Sequence, residues 1–102
     1  MNGNWLNLLG LARRAGFLLA GTESVSAAVR RGQVDLIVIS ADIAAGTRDR
    51  MFRLARAHMV PIIQDEGCGQ LDRLTGYPGR RVFGVTNGQL AKAIVSSRKD
   101  AR

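Results

Sequence analysis

One run of seven residues, Val34-Asp35-Leu36-Ile37-Val38-Ile39-Ser40, constrains the fold more than any other. It is almost continuously apolar and partly β-branched, and it is too short to be a helix of ordinary length. A strand that alternated apolar with polar residues would have one wet face. A continuous run predicts a central strand covered on both faces. A sheet covered on both faces needs helices above and below it. The rest of the chain must therefore supply helices for two layers.

The sequence does so. Trp5, Leu8, Leu9 and Ala12 recur at helical spacing, which predicts a helix from Asn4 to about Ala15, capped by Asn4 and closed by Gly16. Leu18–Ala20 reads as a short strand. Gly21 then supplies a turn, Thr22 an N-cap, and Glu23 a first-turn carboxylate that suits the helix dipole. Val25, Ala28 and Val29 share one face of the helix that follows, and Gly32 stands where it would close.

After the central strand comes a small-residue loop over 42–47. Thr47 would cap a helix from Arg48 to about Met59, with Met51, Leu54 and Ala55 inward and Phe52 beside them. Val60-Pro61-Ile62-Ile63 begins another strand, with proline near its start. Gly67-Cys68-Gly69 reads as a turn, and 70–75 as a short helix with Leu71 and Leu74 inward and Gly76 at its end. Val82–Val85 is a strand, Asn87-Gly88 a helix cap, and Leu90, Ala91, Ala93, Ile94 and Val95 the apolar part of a last helix. The polar stretch 96–102 is expected to fray. The sum is one domain over residues 1–102: a three-layer α-β-α sandwich around one mixed sheet of about four short strands.

The charge points to a class of partner. Fifteen Lys and Arg stand against eight Asp and Glu, for a net charge of +7 on 102 residues. Such a balance favours a polyanion, most simply nucleic acid. Most of the cations are arginine, whose forked guanidinium suits phosphates and guanine edges. Aromatic residues are few, which does not support stacking of many single-stranded bases. The helix that starts at Gly21 would present free backbone N–H groups to an anion. Arg13 and Arg14 lie just upstream, and Arg30 and Arg31 end that helix. The turn Tyr77-Pro78-Gly79-Arg80-Arg81 offers two further arginines on a fixed loop. An ordinary strand–helix junction and a chance basic turn remain the plain alternatives.

Catalytic and cofactor chemistry find no support. Gly67-x-Gly69 lacks the third glycine of a dinucleotide fingerprint, where Asp72 stands instead, and there is no phosphate-loop lysine–serine pair. His58 reads as a helix-end residue. Cys68 has no evident base or orienting partner, and as the one cysteine it forms no internal disulfide. Together with His58 it makes a poor zinc site. Asp65 and Glu66 are adjacent, a poor acid–base pair, and are expected to be solvated. The Arg48–Arg56 set reads as the wet face of its helix more readily than as an RNA surface. No apolar run reaches the ~20 residues of a membrane span, and the start lacks a signal pattern, so a cytoplasmic, non-enzymatic protein without metal or cofactor is expected.

The order of segments resembles the ribosomal L-seven-Ae superfamily (kink-turn RNA-binding, L30e-like fold), in particular its short bacterial YlxQ-type members. The resemblance runs from about Trp5 to Val95. Its bearers are 9–16 (Leu-Gly-Leu-Ala-Arg-Arg-Ala-Gly), Gly21-Thr22-Glu23 opening a helix, 34–39, Asp42 with Thr47, Val60-Pro61-Ile62, 82–86 and 90–94. It implies a sandwich that binds structured RNA and catalyses nothing. In the best understood relatives the RNA is a kink-turn, a sharply bent internal loop with sheared G·A pairs. The contact motif reads Gly, any residue, Asn, Glu, two of any residue, Lys.

On this chain that motif falls on 21–27. Gly21 is retained, Glu23 stands for the asparagine, Ser24 for the glutamate, and Ala27 for the lysine. A carboxylate at Glu23 accepts but cannot donate, repels phosphate, and can still accept from a guanine amino group. Ala27 removes a phosphate contact. A second contact loop of the family falls on Tyr77–Arg81, where Arg80 and Arg81 supply charge that Ala27 lacks.

The expected RNA-binding residues are therefore Gly21, Thr22, Glu23, Ser24, Arg13, Arg14, Arg30, Arg31, Arg80 and Arg81. The expected partners are structured RNA, ribosomal or other non-coding, and the ribosome itself. No membrane is expected, and the chain is expected to be a monomer. The alternative is a protein-interaction module on the same fold that has lost kink-turn recognition.

Overall fold

The computed structural model describes residues 4–65 and 71–100. Its elements alternate in the expected order: α1 (Asn4–Arg14), β1 (Leu18–Ala20), α2 (Thr22–Arg30), β2 (Leu36–Ile39), α3 (Ala45–Ala57), β3 (Ile62–Gln64), α4 (Leu71–Thr75), β4 (Val82–Val85) and α5 (Gly88–Asp100). The four strands form one sheet in the order β1-β4-β2-β3. β4 runs antiparallel to both β1 and β2, and β3 runs parallel to β2. The sheet is mixed because β2 returns to β3 through a helical crossover, whereas β4 reaches its place between β1 and β2 from the opposite end.

All four residues of β2 are buried, and alternation divides them between two cores. Leu36 and Val38 point to the layer of α1, α4 and α5, where they meet Trp5, Leu9, Leu71, Phe83 and Ile94. Ile37 and Ile39 point to the layer of α2 and α3, where they meet Val25, Val29, Met51 and Ala55. A fully buried isoleucine of this kind contributes about 1.5–3 kcal/mol from area removed from water. Gly84 lets α2 lie close on the sheet. A Cβ there would stand 3.3 Å from Val25 Cγ1 and 3.4 Å from both Val34 methyls.

Several local expectations are corrected. Thr22 is the first helical residue of α2, and Gly21 is its N-cap, with no capping side chain. The helix starts one residue earlier than expected: the Gly21 N–H ends the sheet on Val82 O at 2.8 Å, and Gly21 O already accepts the first helical bond from the Val25 N–H at 3.0 Å. At the other end the Gln33 N–H donates to Ala28 O and the Gly32 N–H to Val29 O, closing the helix as expected. Thr47 does not cap α3. That helix begins at Ala45 with Ala44 as N-cap, because a turn from Ser40 O to the Ile43 N–H reverses the chain at once.

Leu74 is exposed. In the five-residue α4 the inward positions go to Leu71 and to Thr75, whose hydroxyl satisfies itself on Leu71 O at 2.7 Å. Asp65 is buried, not solvated, because its N–H extends the β2–β3 ladder to Ile39 O. The stretch from Ser96 is helical as far as Asp100. Arg98 fixes it by lying over the Trp5 ring at 5.1 Å and donating to Gln64 O at 2.7 Å. Asn4, expected as the cap of α1, is instead a helical residue of it. Glu66, the Gly67-Cys68-Gly69 turn, Gln70 and the last two residues lie outside the described residues. No described helix is long and apolar enough to cross a membrane.

Candidate nucleic-acid interface

β1 and β2 both run antiparallel to β4, so they run parallel to each other. Each is followed by a helix, and both helices therefore begin at the same end of the sheet. β4 starts at that end too. Three connections converge there: the Gly21 turn, the turn after Ser40, and the loop from Gly76 to Arg81. They are stitched together by backbone, with the Gly21 N–H on Val82 O and the Ser40 N–H on Arg81 O at 2.9 Å.

Gly21 has φ 106° and ψ 142°, a conformation that L side chains resist. It opens α2 without a capping side chain, so its own residue takes up none of the N–H groups of the first turn. The Arg80 guanidinium lies against this turn: a Cβ on Gly21 would be 3.5 Å from Arg80 Nη1. Arg80 makes no ion pair with a described residue. Thr22 is half-buried, and Glu23 and Ser24 are exposed.

The loop that carries Arg80 is held by Asp72. Its Oδ2 accepts from the Gly79 N–H at 3.1 Å and its Oδ1 from the Arg73 N–H at 2.8 Å. These two donors hold the Asp72 carboxyl below its ordinary value. Arg81 points away from Arg80, with Nε 3.1 Å from Asp42 Oδ1. Asp42 also accepts from the Ser40 hydroxyl. That hydroxyl first, and then Arg81, lower the Asp42 carboxyl. Arg13 reaches the same loop from the end of α1, its guanidinium 4.7 Å above the Tyr77 ring and beside Gly76.

The expected residues thus fall into two groups. Gly21, Thr22, Glu23, Ser24, Arg80, Arg81 and Arg13 share the loop end. Arg14 follows Arg13 but lies back along α1 toward Gly10. Arg30 and Arg31 are at the far end of α2, roughly 13 Å away at 1.5 Å per residue. There the Arg31 Nε donates to Gln33 Oε1 at 3.2 Å.

Sequence reasoning passed over three members of this end. Asp42 and Asp72 fix the loops, and Arg50 pairs with Glu23. Arg50 belonged to a set read as a wet helix face. Its partner is 27 residues away, and no local signal marks the contact. Among the described residues no group of His, Cys, Asp or Glu could hold a metal ion.

Comparison with known proteins gives a consistent result. The sequence model of the "Ribosomal protein L7Ae/L30e/S12e/Gadd45 family" matches residues 3–95. RNA-binding protein YlxQ of Enterococcus faecium is 29% identical over 87 residues, covering 85% of this chain and 84% of its own. RNA-binding protein YlxQ of Bacillus subtilis (strain 168) is 28% identical over 92 residues, covering 90% and 92%. A protein of unknown function from Bacillus halodurans C superposes with a TM-score of 0.87 at 33% identity, over 93% of this chain and 96% of that one. The Giardia lamblia 15.5kD RNA binding protein superposes with a TM-score of 0.76, over 95% and 86%. At 19% identity that last likeness speaks to the fold alone.

Proposed function

The chain belongs to the ribosomal protein L7Ae/L30e/S12e/Gadd45 family, and on that premise we propose that it is a non-catalytic binder of structured RNA. The ligand in this reading is a sharply bent, kink-turn-like element of ribosomal or other non-coding RNA. The observation that carries it is the loop end. A helix start at Gly21 with no capping side chain and Arg80, which pairs with no carboxylate among the described residues, lie side by side there. The names of the YlxQ relatives, which the chain matches over most of its length, support the same reading.

In this mechanism the α2 N–H groups and Arg80 hold a phosphate at the bend. Thr22, Glu23 and Ser24 face base edges, and Arg13 and Arg81 flank them. A regular groove would not follow the convergence of three turns, whereas a bulged RNA can, so RNA is favoured over DNA. Arg30 and Arg31 touch only RNA that runs on along α2.

The test is a titration at two salt concentrations with a kink-turn RNA, the same RNA with its G·A pairs destroyed, and a plain duplex. The intact kink-turn should bind tightest. Changing Arg80 and Arg81 together to Ala should weaken it and make the salt slope shallower by about 0.7–0.9, the value for one lost phosphate contact, since Arg81 is already held by Asp42. An unchanged affinity in that variant would sink the proposed surface. The pairing of Arg81 with Asp42 and of Arg50 with Glu23 favours a second reading, a protein-interaction module, since it leaves fewer free cations at this end. Equal binding to all three RNAs, with partners that survive nuclease, would select it.

A further inference from the structure

Glu23 and Arg50 meet across the seam between α2 and α3. Arg50 Nη1 donates to Glu23 Oε2 and Nη2 to Oε1, both at 3.3 Å. This is an end-on fork. It uses one N–H on each terminal nitrogen and leaves three of the five guanidinium donors free, among them the Nε–H. The side chains are 42% exposed for Arg50 and 81% for Glu23.

A pair this open adds little to stability. The two helices are already joined beneath it by Val25, Ala28, Val29, Met51 and Ala55. Glu23 is the second residue of α2, so the fork stands on the rim of the loop end. As a neutral unit it has little long-range pull on phosphate. What it offers is a plane of donors held in a fixed direction by a carboxylate. Two donors on one rigid edge match two adjacent acceptors, and among base edges guanine presents such a pair in O6 and N7. Adenine places a donor beside its acceptor, which a donor-only guanidinium rejects.

We infer that Arg50 is a guanine-reading residue of the RNA site and that Glu23 is its positioning residue. The inference rests on the RNA-binding reading above. It changes the expected role of Glu23 from a base contact of its own to the holder of Arg50. As a bare negative charge Glu23 opposes RNA, and its removal should tighten binding. As the holder of Arg50 it favours RNA, and its removal should weaken binding.

The test compares the intact chain with Glu23→Gln, Arg50→Ala and the double variant. The probes are a kink-turn RNA and the same RNA carrying 7-deazaguanosine, which lacks N7. The intact protein should bind the deaza RNA about fivefold more weakly, and Arg50→Ala, with no donor left to read N7, should show no such difference. Glu23→Gln should weaken binding of the unmodified RNA about tenfold, with an unchanged melting temperature. The double variant should bind no more weakly than Arg50→Ala alone.

Tighter or equal binding by Glu23→Gln overturns the inference. So does full N7 discrimination by Arg50→Ala. The Arg80→Ala, Arg81→Ala protein measured beside them separates the two levels. If it binds more weakly while Glu23→Gln binds more tightly, the RNA site stands and the fork has no reading role. If it binds as the unaltered chain does, the RNA site itself is wrong and the inference falls with it.

Discussion

Replacing Gly21 by alanine separates backbone strain from side-chain contact at the centre of the candidate site. The position has φ 106°, ψ 142°, and its N–H is tied to Val82 O, so the backbone cannot relax without losing a sheet hydrogen bond. The new methyl would lie 3.5 Å from Arg80 Nη1 and 3.9 Å from its Cζ, ordinary contacts at the end of a flexible chain. Sterics therefore add little. Forcing an L residue into this region costs about 1–3 kcal/mol. The lower entropy of unfolded alanine returns about 0.4–1 kcal/mol. The net loss is about 1–2 kcal/mol, or a melting temperature lower by about 4–16 °C for a domain of this size. Urea unfolding with an unchanged slope is the assay. Gly46→Ala is the control. It sits in the first turn of α3 with nothing within 4 Å of a built Cβ, and it should gain about 0.5–1 kcal/mol. Equal midpoints for Gly21→Ala and the unaltered protein would show that the turn is not strained, and the account of how Gly21 opens α2 would fail.

Two further outcomes follow from other strained or charged positions. Met59 is 91% exposed with φ 57°, following the His58 C-cap of α3 where a glycine would be at ease. Met59→Gly should raise stability by about 0.5–1 kcal/mol in urea unfolding, and a lower midpoint would refute that. Asp42 and Asp72 are both depressed below the ordinary value of 3.8, the first chiefly by the Ser40 hydroxyl and the second by the Gly79 and Arg73 N–H groups. On acidification the unfolded chain takes up these protons first. The stability they contribute is therefore full above about pH 4 and is lost as pH falls through the folded values. Asp72→Asn should flatten the acid limb of a stability profile below about pH 4, and an unchanged limb would exclude its role in holding the loop.

The parts of the fold that sequence reveals are those governed by neighbours along the chain. The apolar run of β2, the spaced Val25, Ala28 and Val29 of α2, and the closing glycine at Gly32 are local patterns with local causes, and each falls where it was expected. The misplaced features depend on what the sheet brings near. Thr22 has good capping chemistry, but Gly21 turns the chain as soon as its N–H has met Val82 O, and its own O takes the first helical bond from Val25, which puts Thr22 inside the helix. Asp65 looks solvated until β3 pairs beside β2 and draws it under cover. Leu74 looks inward until a single turn of helix gives that place to Thr75. At the candidate site the glycine turn and the two arginines after Gly79 were legible. The pairings of Glu23 with Arg50 and of Asp42 with Arg81 were not, since they span 27 and 39 positions and follow only from strand order.

Those pairings change what the charge of +7 means. Counted as a total, it suggests a uniformly basic surface. Placed on the fold, it is uneven. At the loop end Arg81 and Arg50 are matched by carboxylates and Arg13 is laid on Tyr77, which leaves Arg80 as the cation there with neither a carboxylate nor a ring as partner among the described residues. Arg30, Arg53 and Arg56 are exposed on the α2–α3 layer and pair with no described carboxylate. Unpaired exposed cations raise the rate of encounter with a polyanion and make it salt-dependent, but they fix no geometry. Paired cations on stitched loops do the reverse: they add little net attraction and hold their donors in set directions. Contacts to phosphate position a nucleic acid, and contacts to bases specify it. Under the proposed function the separation on this molecule follows that division, with steering charge along the helices and, where β1, β2 and β4 meet, oriented donors beside Arg80.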